Sequence, residues 1–483
     1  MMTVIIICGI ILIGALGMLG GRRREKGMSG WLVAGRKLPT WTSWFLQAGE
    51  SLTTFSFLGL AGLGFVGGVS GAYAVGYLTA CLCIQYFVAP RIRNIAASRG
   101  YLTMADFFRD RYRSRPLSII IAVVGALFLI PYLELQLTGL GLIVQLATGS
   151  QTARGLSMVL ASALVVVFVI MGGIRGIARV SIFKDFGMLI ALAIVTVGVV
   201  GFAGGFPEVF AAVAKADDAL LTTHAPGFDA IWWVSAVAIT TIGAGFQTFP
   251  HLWPPMLAAK SGQVLRSNIK WLAVYQLLLF MPITVGMVAV LFIPSSTVPN
   301  QVLFTAAQHA LPEWLVAVVA VFGAAAAMVP AAAISMGIGS LVANNVTYRL
   351  PERGRFVVTR VTIIVAMVLA LALGIVKSDI GALLLLTYGG LAQMAPAVAA
   401  GLPRRVRLST VAVASGIVAG VLFVAVTTFV PAAGLALGSW DNGLVGLAIN
   451  VVVLGIVEAV VRMRRGSTPE FDTADIPAEE VEV

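Results

Sequence analysis

Residues 41–66 read WTSWFLQAGESLTTFSFLGLAGLGFV, and the one charge in that run is Glu50. A bilayer crossing takes roughly 20 apolar residues, so the run is long enough to span. A charge at mid-bilayer depth costs about 2.5–3.5 kcal/mol even on the most lenient insertion scale, and a lipid-facing glutamate gains nothing in return. Gly49, Ser51, Thr53 and Thr54 surround it. Small and hydroxylated neighbours let the backbone unwind and give a polar lining. The stretch therefore predicts an interrupted span whose carboxyl group faces a site. The plainer alternative is a glutamate that joins two helices by a hydrogen bond.

The rest of the chain sets the context. Of its 483 residues, 59% are hydrophobic and 11% charged, against about 25% charged in ordinary soluble domains. A soluble globule cannot hide that much apolar surface, so composition implies a polytopic membrane protein. The 52 glycines agree, because helices packed in lipid favour small residues at their contacts. The net charge of +11 is not a nucleic-acid signature, since the basic residues fall in short clusters between apolar runs. Cys8, Cys81 and Cys83 all lie in apolar runs and show no disulfide or zinc spacing. Arg22, Arg23, Arg24 and Lys26 follow the first apolar run. A signal peptide places its basic residues before it, so this order predicts a first helix with its N-terminus outside.

Thirteen runs have spanning length: 3–20, 41–66, 71–89, 117–147, 157–174, 182–206, 231–250, 271–293, 314–343, 357–376, 381–402, 408–430 and 442–461. With one crossing per run, 29 of the 32 Lys and Arg residues fall on the inside, and only Arg154, Lys215 and Lys377 do not. Splitting either long run, 117–147 or 314–343, would ruin that separation. Each therefore reads as one tilted or kinked crossing, with Pro131 and Pro330 as kink sites. This predicts an all-α membrane domain over 1–465, N-terminus outside and C-terminus inside. An acidic, disordered cytoplasmic tail is expected over 466–483.

Few other charges lie in the runs. Arg360 and Glu458 sit near inner ends, where a long cation snorkels and a carboxylate finds basic partners. Glu134, in PYLELQLTG at 131–139, shares a helical face with Thr138, while Gln136 points elsewhere. It reads equally as a second polar wall or as an interhelical contact. Lys184 and Asp185 are adjacent, and helical neighbours do not face each other, so each is expected to have its own partner. An interfacial pair at the cytoplasmic mouth is the plainer reading.

The seventh run carries AITTIGAGFQTFP at 238–250, with no charge. Gly243 and Gly245 weaken a helix by about 1 kcal/mol each relative to alanine. Thr240, Thr241, Gln247 and Thr248 offer polar groups. A second broken span is predicted here, with close packing of small residues as the competitor. Runs 2–6 (41–206) and 7–11 (231–402) form two groups of five. Five is odd, so the groups enter from opposite sides, and each opens on an interrupted helix. Matched interruptions of this kind mark a transporter's substrate site. Free backbone N–H groups and positive dipole ends there suit a carboxylate, provided Glu50 is protonated or turned away.

Several stretches resemble the sodium:solute symporter family: GGRRREKGMSGWLVAGRKLPTWTSWF at 20–45, GESLTTFSFLGLAGLGF at 49–65, RGYLTMADFFRDRYRS at 99–114 and GGIRGIARVSIFKDFGM at 172–188. The bacterial monocarboxylate-permease branch is the nearer likeness. It shares Gly49-Glu50-x-x-Thr53, Phe183-Lys184-Asp185, Pro250-His251 and VPAAAISMGIGSLVANN at 329–345. The resemblance covers roughly 20–460. It implies a leucine-transporter-type 5+5 inverted repeat, alternating access, residence in the bacterial inner (plasma) membrane, and uptake of small organic anions such as pyruvate, lactate or acetate. Sodium-coupled relatives usually carry a Ser/Thr pair on the ninth helix as ion ligands. Val329, Pro330 and Ala331 stand there instead, and hard cations need oxygen. Ser335 is one turn further on.

Candidate substrate-binding residues are Gly49, Glu50, Ser51, Thr53, Thr54, Gln136, Gly243, Gly245, Gln247 and Thr248. Candidate ion-coupling residues are Glu50, Lys184, Asp185, Pro330 and Ser335. The coupling ion is H+ or Na+, with the proton favoured: the Lys184 ammonium stands in for sodium, and Glu50 or Asp185 titrates. A sodium-coupled symporter of an amino acid, sugar or other solute is the alternative. An intramembrane enzyme would need a nucleophile–base or metal constellation, and His224, His251 and His309 are scattered over loops and helix ends. A receptor would need an output domain, and a channel a ring of charges. Beyond the bilayer and the small anion, no cofactor, metal, nucleic acid or obligatory protein partner is expected.

Overall fold

The computed structural model describes residues 2–19, 27–223, 225, 227–374, 380–465 and 471–472. Among the described residues each of the thirteen apolar runs is mainly helical. Among the described residues nine helices are long and apolar enough to cross a membrane, or ten when the bent pair Ala230–Gly245 and Pro250–Ala258 counts as one. The difference from thirteen has local causes. Met2–Met18 is only 17 residues long. Phe55–Arg99 joins the end of one run to the next. Gln151–Phe202 is continuous over two runs but breaks at Gly173 (φ 55°, ψ −153°). That φ favours glycine, and a Cβ there would lie 2.7 Å from the Trp31 carbonyl.

The two long runs each form one helix, Arg115–Thr148 and Glu313–Leu341. Pro131 and Pro330 lie inside them, and neither helix is interrupted there. The Glu313–Val346 span is the most enclosed, with 83% of its apolar window buried, and it packs on Arg115–Thr148 and on Gln151–Phe202. Glu352–Gly374 and Asn442–Arg464 are only 28% and 22% buried, which puts them on the rim facing lipid.

Run 41–66 is broken where the sequence predicts. Helix Thr40–Ala48 stops, residues 49–53 turn, and helix resumes through a π-turn at Phe55–Gly59 into Leu60–Gly67. The second half is clamped on Phe280–Ala289 by glycines. A Cβ on Gly64 would meet the Ile283 carbonyl at 2.3 Å, and one on Gly286 the Ala61 carbonyl at 1.9 Å. Run 231–250 is broken too, but later than expected. Helix persists through Gly243 to Gly245, opens at 246–249, and resumes as Pro250–Ala258, bent by 42°. The start of the first broken span and the end of the second are joined by backbone: Leu38 N–H donates to Ala258 O (3.0 Å) and Lys260 N–H to Leu38 O (3.2 Å).

Of the expected disordered tail, Phe471–Asp472 instead pairs antiparallel with Arg405–Val406. The rest of the tail, the Arg22–Lys26 cluster, His224 and Lys377 lie outside the described residues.

Candidate functional site

The first break is built from turn geometry and borrowed side chains. Gly49 N–H donates to Phe45 O (2.8 Å) and Ser51 N–H to Ala48 O (2.8 Å), closing Thr40–Ala48. Gly49 sits in close quarters: a Cβ would lie 2.7 Å from the Ser181 hydroxyl and 3.1 Å from Phe45 O. The Ser56 hydroxyl donates to Ser51 O (2.9 Å). The Thr54 hydroxyl and N–H donate to Gln136 Oε1 at 2.9 and 3.4 Å. Gln136 therefore braces the break from the Arg115–Thr148 helix. It does not line the open space. Gly139, one turn on, lies so close that a Cβ would meet Thr54 Cγ2 at 1.8 Å.

The second break is held in the same way. Gln247 sits at its centre with φ 56°, and its carbonyl accepts the Trp253 indole N–H (2.7 Å). The Thr248 hydroxyl folds back on Gly243 O (2.8 Å). Gln85 Nε2 donates to Ala244 O (2.9 Å). Gly245 serves packing: a Cβ there would lie 2.9 Å from Ile84.

Between the breaks lies a cavity of about 100 Å³. Glu50, Ser51, Thr53 and Gln247 line it, together with Gln47, Ser56, Gln85, Tyr77, Cys81, Tyr132 and Tyr388. Gly49, Thr54, Gln136, Gly243, Gly245 and Thr248 are not on the lining; they shape the backbone behind it. A larger groove of about 600 Å³ lies beside the exposed rings of Trp41 and Trp271, with Asp185 at its base. It is apolar and shares no lining residue with the cavity between the breaks.

Lys184 and Asp185 add a mutual ion pair to the separate partners expected of them. The ammonium lies 2.8 Å from Asp185 Oδ1, with both side chains essentially unexposed. A long lysine stem folds back onto its neighbour when no water can solvate either charge. Each also has the separate partner that helical geometry predicts. Lys184 Nζ donates to Gly49 O (2.8 Å), and the Tyr275 hydroxyl donates to Asp185 Oδ1 (3.2 Å). The pair is buried, and the Gly49 contact sets Lys184 beside the first break. Its cation lies at the C-terminal end of helix Thr40–Ala48, where the dipole favours positive charge. In the Glu313–Leu341 helix the Ser335 hydroxyl donates to Ala332 O of its own helix (3.0 Å), and Pro330 has no donor to give.

His251 is the member that sequence reasoning left outside. Its Nε2 lies 3.6 Å from Glu50 Oε2, with both side chains buried. The Pro250 and His251 backbone crosses the Glu313–Leu341 helix at Gly337, where a Cβ would lie 2.8 Å from His251 Cα. The missed signal was the placing of the break. Put at 243–245, it leaves His251 at a helix end; put at 246–249, it carries His251 into the span. Glu134 is buried but off the lining. It lies with Thr138 against Gly374, whose missing Cβ would sit 2.9 Å from Thr138 Oγ1.

The sodium:solute symporter family model matches residues 31–402. The chain belongs to the sodium:solute symporter family. Among its relatives are two described as uncharacterised symporters of Bacillus subtilis. YhjB is 28% identical over 97% of this chain and 99% of its own, and YodF is 29% identical over 98% and 96%. A monocarboxylate transport permease protein of Rhizobium johnstonii is 26% identical over 81% of this chain and 82% of its own. A solved Na+-coupled sialic acid symporter superposes with TM-score 0.78 at 15% identity, covering 98% of this chain and 99% of that one. The fold of this symporter-family member is thus the leucine-transporter type, and the protein is a multi-pass membrane protein.

Proposed function

We propose that the protein is a secondary active symporter in the bacterial plasma membrane. It takes up short monocarboxylates of the size of pyruvate, lactate or acetate by alternating access, coupled to a proton. The observation that carries this reading is the meeting of two interrupted spans around one small polar cavity. About 100 Å³ is well below the roughly 300–1,000 Å³ of sites for drug-sized ligands. A solute of a few heavy atoms fits, and the likeness to the Rhizobium monocarboxylate permease agrees.

Proton coupling is supported by Lys184. Its ammonium already occupies the Gly49 carbonyl at the first break, and Val329, Pro330 and Ala331 bring no side-chain oxygen. The likeness to a Na+-coupled symporter favours a second reading, sodium-driven uptake of another solute. Proteoliposomes given labelled pyruvate, lactate, acetate, an amino acid and a sugar under separate proton and sodium gradients discriminate the two. Accumulation of a short monocarboxylate driven by the pH gradient and indifferent to sodium is expected. Sodium-driven accumulation of another solute contradicts the proposal.

A further inference from the structure

We propose that Glu50 and His251, one from each broken span, form a single proton-carrying site whose occupancy licenses entry of the solute carboxylate. This rests on the proton-coupled reading above and assigns its proton to named atoms.

Geometry brings the pair together. Glu50 Oε2 and His251 Nε2 are 3.6 Å apart, and their side chains are 3% and 2% exposed. Neither Glu50 oxygen has a hydrogen-bond donor among the described residues, and His251 Nδ1 has no partner either. Glu50 lines the cavity, while His251 lies behind it against Tyr132 and Phe249, with ring centroids 5.4 and 5.8 Å away. One residue thus faces the solute and the other faces protein.

Charge balance follows. The titratable groups facing the pair are Tyr132 from Arg115–Thr148, Lys184 and Asp185 from Gln151–Phe202, and Tyr77, Tyr388 and the Cys81 thiol across the cavity; Tyr275 caps Asp185. Lys184 and Asp185 cancel at 2.8 Å, and the tyrosines and the thiol are neutral. One carboxylate is left over. A buried charge without a partner is strongly disfavoured, and a single proton removes it, whether held as O–H on Glu50 or as N–H on His251. A solute anion entering beside an ionised Glu50 would meet a like charge in a low-dielectric space. With the proton held on Glu50 it does not. Proton and anion therefore bind together and leave together. The proton comes from the medium on one side and is returned to the medium on the other, so no charge moves overall. With the pair supplied by both halves of the molecule, the same proton also removes the charge that would resist their approach.

The test uses purified protein in proteoliposomes, with labelled pyruvate as the solute, measuring accumulation under an imposed pH gradient and solute exchange across pH 5–8. Wild type should accumulate up to about tenfold per unit of pH gradient, since tenfold corresponds to one unit. Glu50→Gln mimics the protonated acid. It should exchange pyruvate at a rate independent of pH and accumulate none. His251→Gln should still accumulate less than wild type and reach half-maximal exchange at lower pH, because the proton has lost its second holder. Wild-type accumulation by either variant overturns the proposal, as does an unaltered pH profile in Glu50→Gln. Loss of all exchange in Glu50→Gln overturns it too, because a site locked in its protonated form must still turn over solute. Failure of the underlying reading shows elsewhere, in wild type that follows sodium and ignores the pH gradient.

Discussion

Lys184→Ala is the most informative single change. The ammonium it removes is fully buried and serves two groups at 2.8 Å, Asp185 Oδ1 and the Gly49 carbonyl. Asp185 then keeps only the Tyr275 hydroxyl, at 3.2 Å, and its Oδ2 has no hydrogen-bond partner among the described residues. Breaking a buried ion pair from one side costs about 3–5 kcal/mol. An orphaned carbonyl adds roughly 1–3 kcal/mol, and the two overlap because one group serves both. A loss of about 4–6 kcal/mol follows, a factor of about a thousand or more. Denaturant unfolding of the purified protein measures it, with Lys184→Met/Asp185→Leu as the companion. Replacing both charges by apolar groups of similar size is often neutral, so the double variant should recover most of the loss. Sodium should stabilise Lys184→Ala, whose vacated space is flanked by carbonyl and carboxylate oxygens, and leave wild type unaffected. A single variant as stable as wild type and fully active in uptake would refute the reasoning.

Other expectations concern the braces and the periphery. Gln136→Leu leaves the buried Thr54 hydroxyl and N–H without their acceptor; a loss of about 1–3 kcal/mol and slowed uptake should be measured. Gly139→Ala drives a methyl into Thr54 Cγ2, and overpacking of about 1–3 kcal/mol should lower pyruvate uptake more than it lowers expression. Ser409→Ala removes the cap that accepts the Ala412 N–H (3.3 Å). It should cost about 1 kcal/mol and leave the pH dependence of uptake as in wild type. At the exposed start of helix Ala230–Gly245, the Ser439 hydroxyl and then the Trp232 N–H hold the Asp229 carboxyl below its usual range. Its stabilisation is present above the unfolded value, near 4, and is lost as pH falls through the lower folded value. An acid titration of unfolding should show that loss in wild type and not in Asp229→Asn.

The first interruption was legible because a lone carboxylate in an apolar run, ringed by glycine and hydroxyls, has few physical solutions. The second was legible only in outline. Gly243 and Gly245 lower helix propensity, but tertiary packing keeps both helical, and the chain opens at Gln247, whose positive φ no local rule assigns to glutamine. His251, visible in the sequence only as part of the Pro250-His251 motif, is left out of the site for that reason. Lys184 and Asp185 show a different limit. Helix geometry sets where Cβ atoms point, but a four-carbon stem in a dry site reaches wherever charge is needed. Gln136 could be placed near the break by polarity, but its role as a brace depends on a contact across 82 residues.

The central claim is that a small anion sits between the two breaks, and the native Cys81 can report on it. Its thiol lines the cavity and donates to Leu78 O (3.2 Å), while Cys8 and Cys83 are exposed on outer faces. In a Cys8→Ser/Cys83→Ser background, maleimide labelling of Cys81 should be followed in vesicles with and without pyruvate, lactate or acetate. The expected result is labelling slowed several-fold by a short monocarboxylate, more strongly at low pH. Labelling at one unchanging rate, in protein that still transports, would place the solute elsewhere and contradict the claim.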